Sequence, residues 1–180
     1  MSYSHQFLKG QNVYLRSLEK EDLYGPYFTW LNDFEVTKFN SHGRFPYNIH
    51  KHELFFQEQL KVSNLIQLGI FLIEDNAHVG NISLQNINWI DRNAEFAILI
   101  GDKKVWGKGI GEEAGKILIK HGFENLNLHR IYCGTSSENL GMQKLALKLG
   151  MVNEGVRKES IYKNGKYHDM VEFGILRSKY

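Results

Sequence analysis

Glycines at every second position follow an apolar segment in the middle of the chain. Residues 96–100 are apolar, Glu95 precedes them, and the segment leads into Trp106, Gly107, Lys108, Gly109, Ile110 and Gly111. This order predicts a strand, a tight turn and the start of a helix. The first N–H groups of a helix have no partner inside the helix, and they lie at its positive end, where phosphate groups bind. The segment therefore predicts a site for a molecule that carries a phosphate or pyrophosphate.

Three known phosphate-binding patterns are alternatives for this loop. A Walker A loop requires Gly-x-x-x-x-Gly-Lys-Ser/Thr, which residues 107–112 do not supply. A Rossmann fingerprint belongs to the first strand–helix–strand unit and has its third glycine where this chain has Glu112. The third pattern is the acyl-CoA loop, x-x-Gly-x-Gly/Ala after a fourth strand, and it matches the order of strand, loop and helix.

Length and composition limit the class of protein. The chain has 180 residues, 42% of them hydrophobic, which predicts a single domain over residues 1–180. The formal charge of +2 gives no electrostatic signature of nucleic-acid binding. Cys133 is the only cysteine, so an intrachain disulfide is excluded and a reducing compartment is favoured. The first six residues lack the apolar run of a secretory signal, and no apolar run is long enough to span a membrane. We therefore expect a cytoplasmic protein without membrane partners.

The rest of the chain supplies the elements that must position the loop. Periodicity predicts strands at residues 12–17, 66–74, 78–87, 94–101, 130–135, 153–162 and 166–176, and helices at residues 20–32, 49–60, 110–126 and 138–149. Pro26 is expected to kink or split the first helix, and Leu54, Phe55 and Leu60 are expected to face inward from the second. Asn164-Gly165 predicts a hairpin between the last two strands. The order predicts a mixed α/β fold, with a mostly antiparallel central sheet, one parallel crossover and flanking helices.

Motifs along nearly the whole chain resemble those of the GNAT N-acetyltransferases, in particular the RimJ/RimL-type branch, and the chain is also similar to spermidine acetyltransferases. Residues 106–114 resemble the coenzyme loop of that branch, where Trp106 is common. The other matching segments are the opening residues 14–18 and 30–33, Asn139 with Leu149-Gly150-Met151, and residues 154–157, 164–169, 176 and 180. The resemblance implies the GNAT acyl-CoA N-acyltransferase fold and an enzyme that uses acetyl-CoA as co-substrate.

The resemblance also implies roles for individual residues. The backbone around Leu99 and Ile100 would pair with the pantetheine arm of the coenzyme like an added strand, and one N–H there would polarise the acetyl carbonyl. The amides of residues 106–111 would hold the pyrophosphate, Lys108 would add charge, and Asn139 would hydrogen-bond the coenzyme. The glycines would let the backbone approach closely. The alternatives are a solvated charge for Lys108 and a plain helix N-cap for Asn139.

Acetyl transfer also requires a group that removes a proton from the amine, and Glu95 is our candidate for this base. It begins its strand and shares a face with Leu99. Because an ordinary carboxylate is a weak base near pH 7, Glu95 would need burial or a water relay. The alternatives are a structural ion pair with Arg92 or a position that faces solvent. No general acid is assigned, since Ala146 and Met142 stand where the family commonly has Tyr or Ser.

The acceptor is left open between a small molecule, either an amino sugar or a polyamine, and the α-amine of a protein N-terminus. Residues 34–59 carry similar numbers of acidic and basic side chains, namely Glu35, Glu53, Glu58, Lys38, Arg44 and Lys51. The segment is not conspicuously acidic, which favours an acceptor that is not a polycation, such as an anionic nucleotide sugar bound by Arg44 or Lys51. Aromatic residues of this region are candidates for the acceptor pocket, with core packing as the alternative: Trp30, Phe34, Phe45, Tyr47, Phe55 and Phe56.

Three further expectations concern metals, catalysis and assembly. No metal site is expected, because His50 and His52 are spaced i, i+2 and do not share a helix face. Since the Tyr and Ser of related enzymes are missing, the alternative to an enzyme is a catalytically silent sensor that binds acyl-CoA or a partner. Relatives are often dimers, so a homodimer is an expected assembly, although the sequence shows no distinctive interface stripe.

Overall fold

The structure, a computed structural model, describes residues 5–40, 42–59 and 61–180. Four of the six N-terminal residues considered in the sequence analysis, and the inward position predicted for Leu60, lie outside the described residues. The strands are β1 (Leu8–Lys9), β2 (Val13–Arg16), β3 (Ile66–Leu72), β4 (His78–Asn88), β5 (Asn93–Ile100), β6 (Arg130–Ser136), β7 (Val152–Lys163) and β8 (Lys166–Leu176). The α-helices are α1 (Pro26–Trp30), α2 (Phe34–Thr37), α3 (Ile49–Gln59), α4 (Ile110–Glu124) and α5 (Leu140–Lys148), and short 3₁₀ turns cover Lys20–Tyr24, Lys103–Val105 and Arg177–Lys179.

One eight-stranded sheet runs through the protein in the order β1-β2-β3-β4-β5-β6-β8-β7. Every neighbouring pair is antiparallel except β5 and β6, which are parallel and are connected through α4. A parallel pair requires a crossover, and the helix after the glycine loop supplies it. The predicted fold class, a mixed and mostly antiparallel sheet with flanking helices, is confirmed.

The N-terminal helical region is split at Pro26, as expected, and its second helix differs from the prediction in the residues that face inward. The helix predicted over residues 20–32 is split, because Gly25 separates the 3₁₀ turn from α1 and Pro26 occupies the first position of α1. Proline suits that position, since the first N–H of a helix has no intrahelical partner. The prediction that Leu54 and Phe55 face inward is wrong: they are 46% and 37% exposed, and His52 is the buried residue of α3.

The core lies between the sheet and α4. Buried apolar residues recur along one face of α4, where Ala114, Leu118 and Phe123 are at most 1% exposed. From the sheet, Leu84 and Phe96 pack against this face. This packing fixes the N-terminus of α4 next to the end of β5, where the glycine loop connects them.

A second, smaller core on the opposite face of the sheet contains Tyr27, Trp30, Leu31 and Val36, with Leu99 packed against it. The indole of Trp30 lies so close to Gly101 that a side chain at that position would overlap it. Glycine therefore allows α1 to pack on the end of β5. No helix among the described residues is long and apolar enough to cross a membrane.

Candidate active site

A cleft opens where β5 and β6 separate. The two strands pair over three positions, from Asn93 opposite Arg130 to Glu95 opposite Tyr132. Beyond Glu95, β5 stays paired only with β4, while β6 continues beside β8 as far as Ser136. One edge of β5 is therefore without a partner strand over residues 96–100, and an extended molecule can pair with it as an added strand.

The register decides which backbone groups of β5 face this open edge. The N–H of Gly101 donates to the carbonyl of Val79 at 2.9 Å, so the hydrogen-bonded pairs with β4 fall at alternate residues and include Leu99 opposite Asn81. The backbone groups of Ile98 and Ile100 then point to the open edge. Of the two predicted contacts for the coenzyme arm, Ile100 thus presents its backbone to the cleft, whereas Leu99 presents its side chain to the small aromatic core.

The glycine loop has a left-handed backbone at two positions. Gly107 has φ +75° and Gly109 has φ +83°, and a Cβ at either position would meet nothing within 4 Å. These glycines are therefore needed for their backbone angles, and the space beside them is open. Gly109 is also the N-cap of α4 and provides no side-chain cap.

Unpaired backbone donors converge at this loop. The N–H groups of Gly107, Gly109, Ile110 and Gly111 have no acceptor among the described residues. Those of Trp106 and Lys108, which were also predicted to hold the pyrophosphate, donate instead to the carbonyls of Lys103 and Val105, each at 3.2 Å. The unpaired groups lie at the positive end of a 15-residue helix. Together these groups form a site suited to a phosphate or pyrophosphate.

Trp106 connects the loop to the open strand edge. Its indole Nε1 donates to the carbonyl of Ile100 at 2.8 Å, and the side chain is 45% exposed. This bond occupies the last outward-facing carbonyl of β5. The N–H and C=O of Ile98 and the N–H of Ile100 remain directed to the cleft.

Ion pairs and hydrogen bonds fix the first turn of α4. The Glu112 carboxylate lies 2.7 Å from the ammonium of Lys116 and 2.9 Å from that of Lys148, and these bonds lower the pKa of Glu112 to about 2. The Glu113 carboxylate accepts from the N–H groups of Gln11 and Asn12 at 2.6 and 2.8 Å. Glu113 thus ties the turn before β2 to α4, a role that sequence reasoning missed because its partners lie about a hundred residues away.

Glu95 lies at the point where the cleft opens. It shares a face of β5 with Ala97 and Leu99, as predicted, and it lines the cleft. Its Oε2 atom accepts a hydrogen bond of 2.8 Å from the Asn86 amide, and among the described residues it has no ion pair with Arg92. Asn86 lies in an irregular stretch of β4 and has φ +52°, so the irregularity turns this amide toward Glu95.

Asn139 begins α5 on the β6 side of the cleft. The Oδ1 atom of Asn139 accepts a hydrogen bond from the N–H of Met142 at 3.1 Å, so Asn139 is the N-cap of α5. Asn139 also lines the cleft. The two predicted roles are compatible, since Nδ2 stays available for a ligand. Ala146 is fully buried in the main core and Met142 packs against that core, so neither position carries a hydroxyl.

The hairpin of β7 and β8 and the segment after α2 line the part of the cleft that we call its acceptor side, with Lys38, Arg44, Ser160 and Tyr162. The Lys163 ammonium is buried and donates to the carbonyls of Thr37, Asn40 and His42, at 3.0, 3.0 and 2.5 Å. These bonds hold the end of α2 and the segment that follows it. Burial, and then the charge of Lys163, lowers the pKa of His42, which is therefore neutral at pH 7.

Four of the six aromatic candidates divide between the cleft and the smaller core, whereas Phe45, which is 79% exposed, and Phe56 belong to neither. Phe34 and Phe55 line the cleft and are 61% and 37% exposed, whereas Trp30 is buried in the smaller core with Tyr47 packed against it. His168 is buried beside Glu138 and the Lys163 carbonyl, so it belongs to the strand pair. Among the described residues, no group of three His, Cys, Asp or Glu side chains is placed to hold a metal ion.

Comparison with known proteins agrees with this geometry. The family model described as "Acetyltransferase (GNAT) domain" matches residues 12–152. The chain therefore belongs to the GNAT acetyltransferase family, and it is an N-acetyltransferase with acetyl-CoA as co-substrate. The predicted resemblance is confirmed at this level.

Individual relatives cover much of the chain. A Bacillus subtilis protein, "Probable N-acetyltransferase YjcK", is 30% identical over 94% of this chain and 96% of its own length. A spermidine N(1)-acetyltransferase of Vibrio cholerae is 37% identical over 61% of this chain and 64% of its own. Among solved structures, spermidine N-acetyltransferase from Vibrio cholerae in complex with CoA and spermine superimposes with a TM-score of 0.87 at 27% identity, covering 95% of this chain and 99% of that one.

Proposed function

We propose that residues 1–180 act as one transferase domain, which moves the acetyl group of acetyl-CoA to a primary amine of a small molecule, such as an amino sugar or a polyamine, or to a protein N-terminus. One observation carries this proposal. The open edge of β5 runs from Glu95 directly to the unpaired N–H groups at the start of α4. A thioester held along this edge would therefore lie between an anion site and a carboxylate.

The coenzyme half of the proposed site follows from the loop. The N–H groups of Gly107, Gly109, Ile110 and Gly111 would bind the pyrophosphate, and Lys108, which is exposed, would add positive charge. Trp106 would hold the loop against the end of β5, and the Asn139 amide would bind the coenzyme from α5.

The strand edge would hold and activate the reactive arm. Ile98 and Ile100 would offer backbone hydrogen bonds to the pantetheine, and the side chain of Leu99 would contact the acceptor side. An N–H aimed at the acetyl carbonyl stabilises the negative charge that develops on its oxygen during transfer. The backbone direction favours Ile98 or Ile100 as this donor.

Glu95 would remove the proton of the attacking amine, directly or through one water. The support is its position at the opening of the cleft and the Asn86 amide that orients it. A positioned base contributes about a hundredfold or more to the rate of such a transfer.

The test is the pH dependence of Glu95→Gln. We expect kcat/KM to fall about a hundredfold at pH 7, and the loss to shrink toward pH 9, where more of the amine is already unprotonated. Glu74→Gln is the matched control, because Glu74 is exposed and does not line the cleft. Normal turnover of Glu95→Gln from pH 6 to 9 would remove Glu95 from the mechanism.

A second measurement separates an enzyme from a silent acyl-CoA sensor, the alternative favoured by the missing hydroxyls at Ala146 and Met142. Calorimetry reports acetyl-CoA binding, and a thiol reagent reports CoA release with a panel of amines. Binding together with amine-dependent release supports the transferase. Binding without release on any amine supports the sensor.

A further inference from the structure

The charges of the acceptor half of the cleft differ from those that a polyamine requires. A polyamine carries several ammonium groups, and each needs a carboxylate or an aromatic face as partner. Three carboxylates line the cleft, namely Glu35, Glu95 and Glu112. Every Asp, Glu, Lys and Arg side chain of the sequence lies in the described residues, so the ion pairs among these side chains can be traced.

Two of the three carboxylates are already paired with lysines. Glu35 lies 2.7 Å from the ammonium of Lys103, which Asp33 also contacts at 2.9 Å. Glu112 is held by Lys116 and Lys148 at the start of α4. Glu95 is the one lining carboxylate without a basic partner among the described residues, and it accepts only from the neutral Asn86 amide.

The cations of the acceptor half show the opposite pattern. Lys38 and Arg44 line the cleft on the segment after α2, and neither forms a salt bridge with any carboxylate of the chain. The buried Lys163 lies beneath the same segment, and its three hydrogen-bond partners are neutral carbonyls. Glu138, which lines a small neighbouring pocket together with Lys38, is already paired with Lys166 at 2.8 Å.

We propose that the acceptor is a small primary amine that also carries an anionic group, a phosphate or a carboxylate, which Lys38 and Arg44 bind while Glu95 faces the amine. This inference rests on the proposed acetyl transfer and names the acceptor class for the same site. One unpaired carboxylate, that of Glu95, and two unpaired cations, Lys38 and Arg44, match a molecule with one ammonium end and one anionic end. The rim cations repel a polyamine, and aromatic faces attract ammonium groups only modestly where they are exposed.

Arg44 and Lys38 suit this role chemically. Guanidinium binds phosphate or carboxylate with two parallel hydrogen bonds, and a lysine adds a point charge. Lys51, the other basic residue considered for this purpose, donates instead to the carbonyl of Pro46 at 3.3 Å and does not line the cleft. Lys51, which lies in α3, therefore serves as a control.

The experiment compares primary amines with and without an anionic group. CoA release is measured with ethanolamine, phosphoethanolamine and β-alanine, with glucosamine and glucosamine 6-phosphate, and with spermidine. We expect phosphoethanolamine and β-alanine to exceed ethanolamine in kcat/KM, and glucosamine 6-phosphate to exceed glucosamine, by about tenfold or more, and the advantage to shrink as salt screens it. Phosphoethanolamine and β-alanine distinguish phosphate from carboxylate as the preferred anion.

Variants assign the effect to the two cations. Arg44→Gln and Lys38→Gln should each lower kcat/KM for the preferred anionic amine about tenfold more than they lower it for ethanolamine, while acetyl-CoA affinity stays constant. Lys51→Gln should match the unmodified protein with every acceptor. If spermidine were turned over faster than every anionic amine, the inferred acceptor class would be wrong, while the proposed acetyl transfer would stand. Acetyl-CoA binding without turnover of any amine would instead overturn the proposed function, and the acceptor class with it.

Discussion

The ammonium of Lys163 lies 3.0 Å from the carbonyl oxygen of Thr37, although 126 residues separate the two along the chain. The same ammonium donates to the carbonyls of Asn40 and His42, so all three of its protons have acceptors. Lys163 stands at the end of β7, and the carbonyls belong to the segment that carries Lys38 and Arg44. The hairpin therefore holds the acceptor side of the cleft in place through Lys163.

We expect Lys163→Met to lower the free energy of unfolding by about 1–3 kcal/mol, because partly buried carbonyls lose a charged donor. The KM for the acceptor should rise as the segment after α2 loosens, while the dissociation constant of acetyl-CoA stays constant. Denaturant titration, steady-state kinetics and calorimetry measure the three quantities.

The control for this prediction is Lys166→Met in the same hairpin. Lys166 is 62% exposed and pairs with Glu138, and a surface pair of this kind contributes at most about 1 kcal/mol. If Lys163→Met changed acetyl-CoA affinity as much as acceptor KM, the separation of the two halves of the cleft would be wrong.

A second prediction concerns the backbone of the coenzyme loop. Gly109→Ala forces an alanine into φ +83°, which costs about 1–2 kcal/mol, and it also displaces N–H groups that face the proposed pyrophosphate. We expect weaker acetyl-CoA binding in addition to a lower melting temperature. Calorimetry and thermal denaturation test the two effects.

Gly165→Ala provides the matched control, because Gly165 has φ +82° and open space around it but lies in the hairpin turn. It should show a similar loss of stability with unchanged acetyl-CoA binding. Equal binding losses in both variants would mean that the loop acts only through stability.

The features that the sequence predicted are those with local signals. The glycine spacing located the turn from β5 to α4, since left-handed backbone and helix initiation depend on neighbouring residues. Long-range contacts gave no such signal: Glu113 and Lys163 are ordinary charged residues until the fold brings distant backbone groups to them. Likewise, Asn86 rather than Arg92 is the partner of Glu95, because an irregularity in β4 brings its amide there. The direction in which the backbone groups of Ile98 point depends on the register between β4 and β5.

A third prediction concerns Trp106. Trp106→Phe keeps an aromatic ring but removes the N–H that donates to the Ile100 carbonyl at 2.8 Å. Because that carbonyl lies at the open strand edge, where water can replace the indole, we expect a stability loss of at most about 1 kcal/mol. Acetyl-CoA should bind several-fold more weakly, since the loop is no longer tied to β5.

Trp89→Phe is the control for Trp106, because Trp89 is 50% exposed in the turn between β4 and β5. Fluorescence-detected titration with acetyl-CoA should distinguish the two variants. Unchanged affinity in Trp106→Phe would show that the loop keeps its position without this bond.

The last prediction concerns acid stability and His52. This side chain is fully buried against Tyr27 and Tyr47, its Nε2 atom has no hydrogen-bond partner among the described residues, and burial lowers its pKa. Well above pH 6.5 the histidine is neutral in both the folded and the unfolded chain. Below pH 6.5 the unfolded chain takes up a proton that the folded chain resists, so the free energy of unfolding falls as the pH falls.

His52→Phe should reduce this decline between pH 6.5 and 5 by up to about 1.4 kcal/mol per pH unit. Denaturant titrations at a series of pH values test the difference, with His50→Phe as the exposed control on the same helix. An acid decline as steep in His52→Phe as in the unmodified protein would assign it to other groups, such as His78, whose pKa burial also lowers.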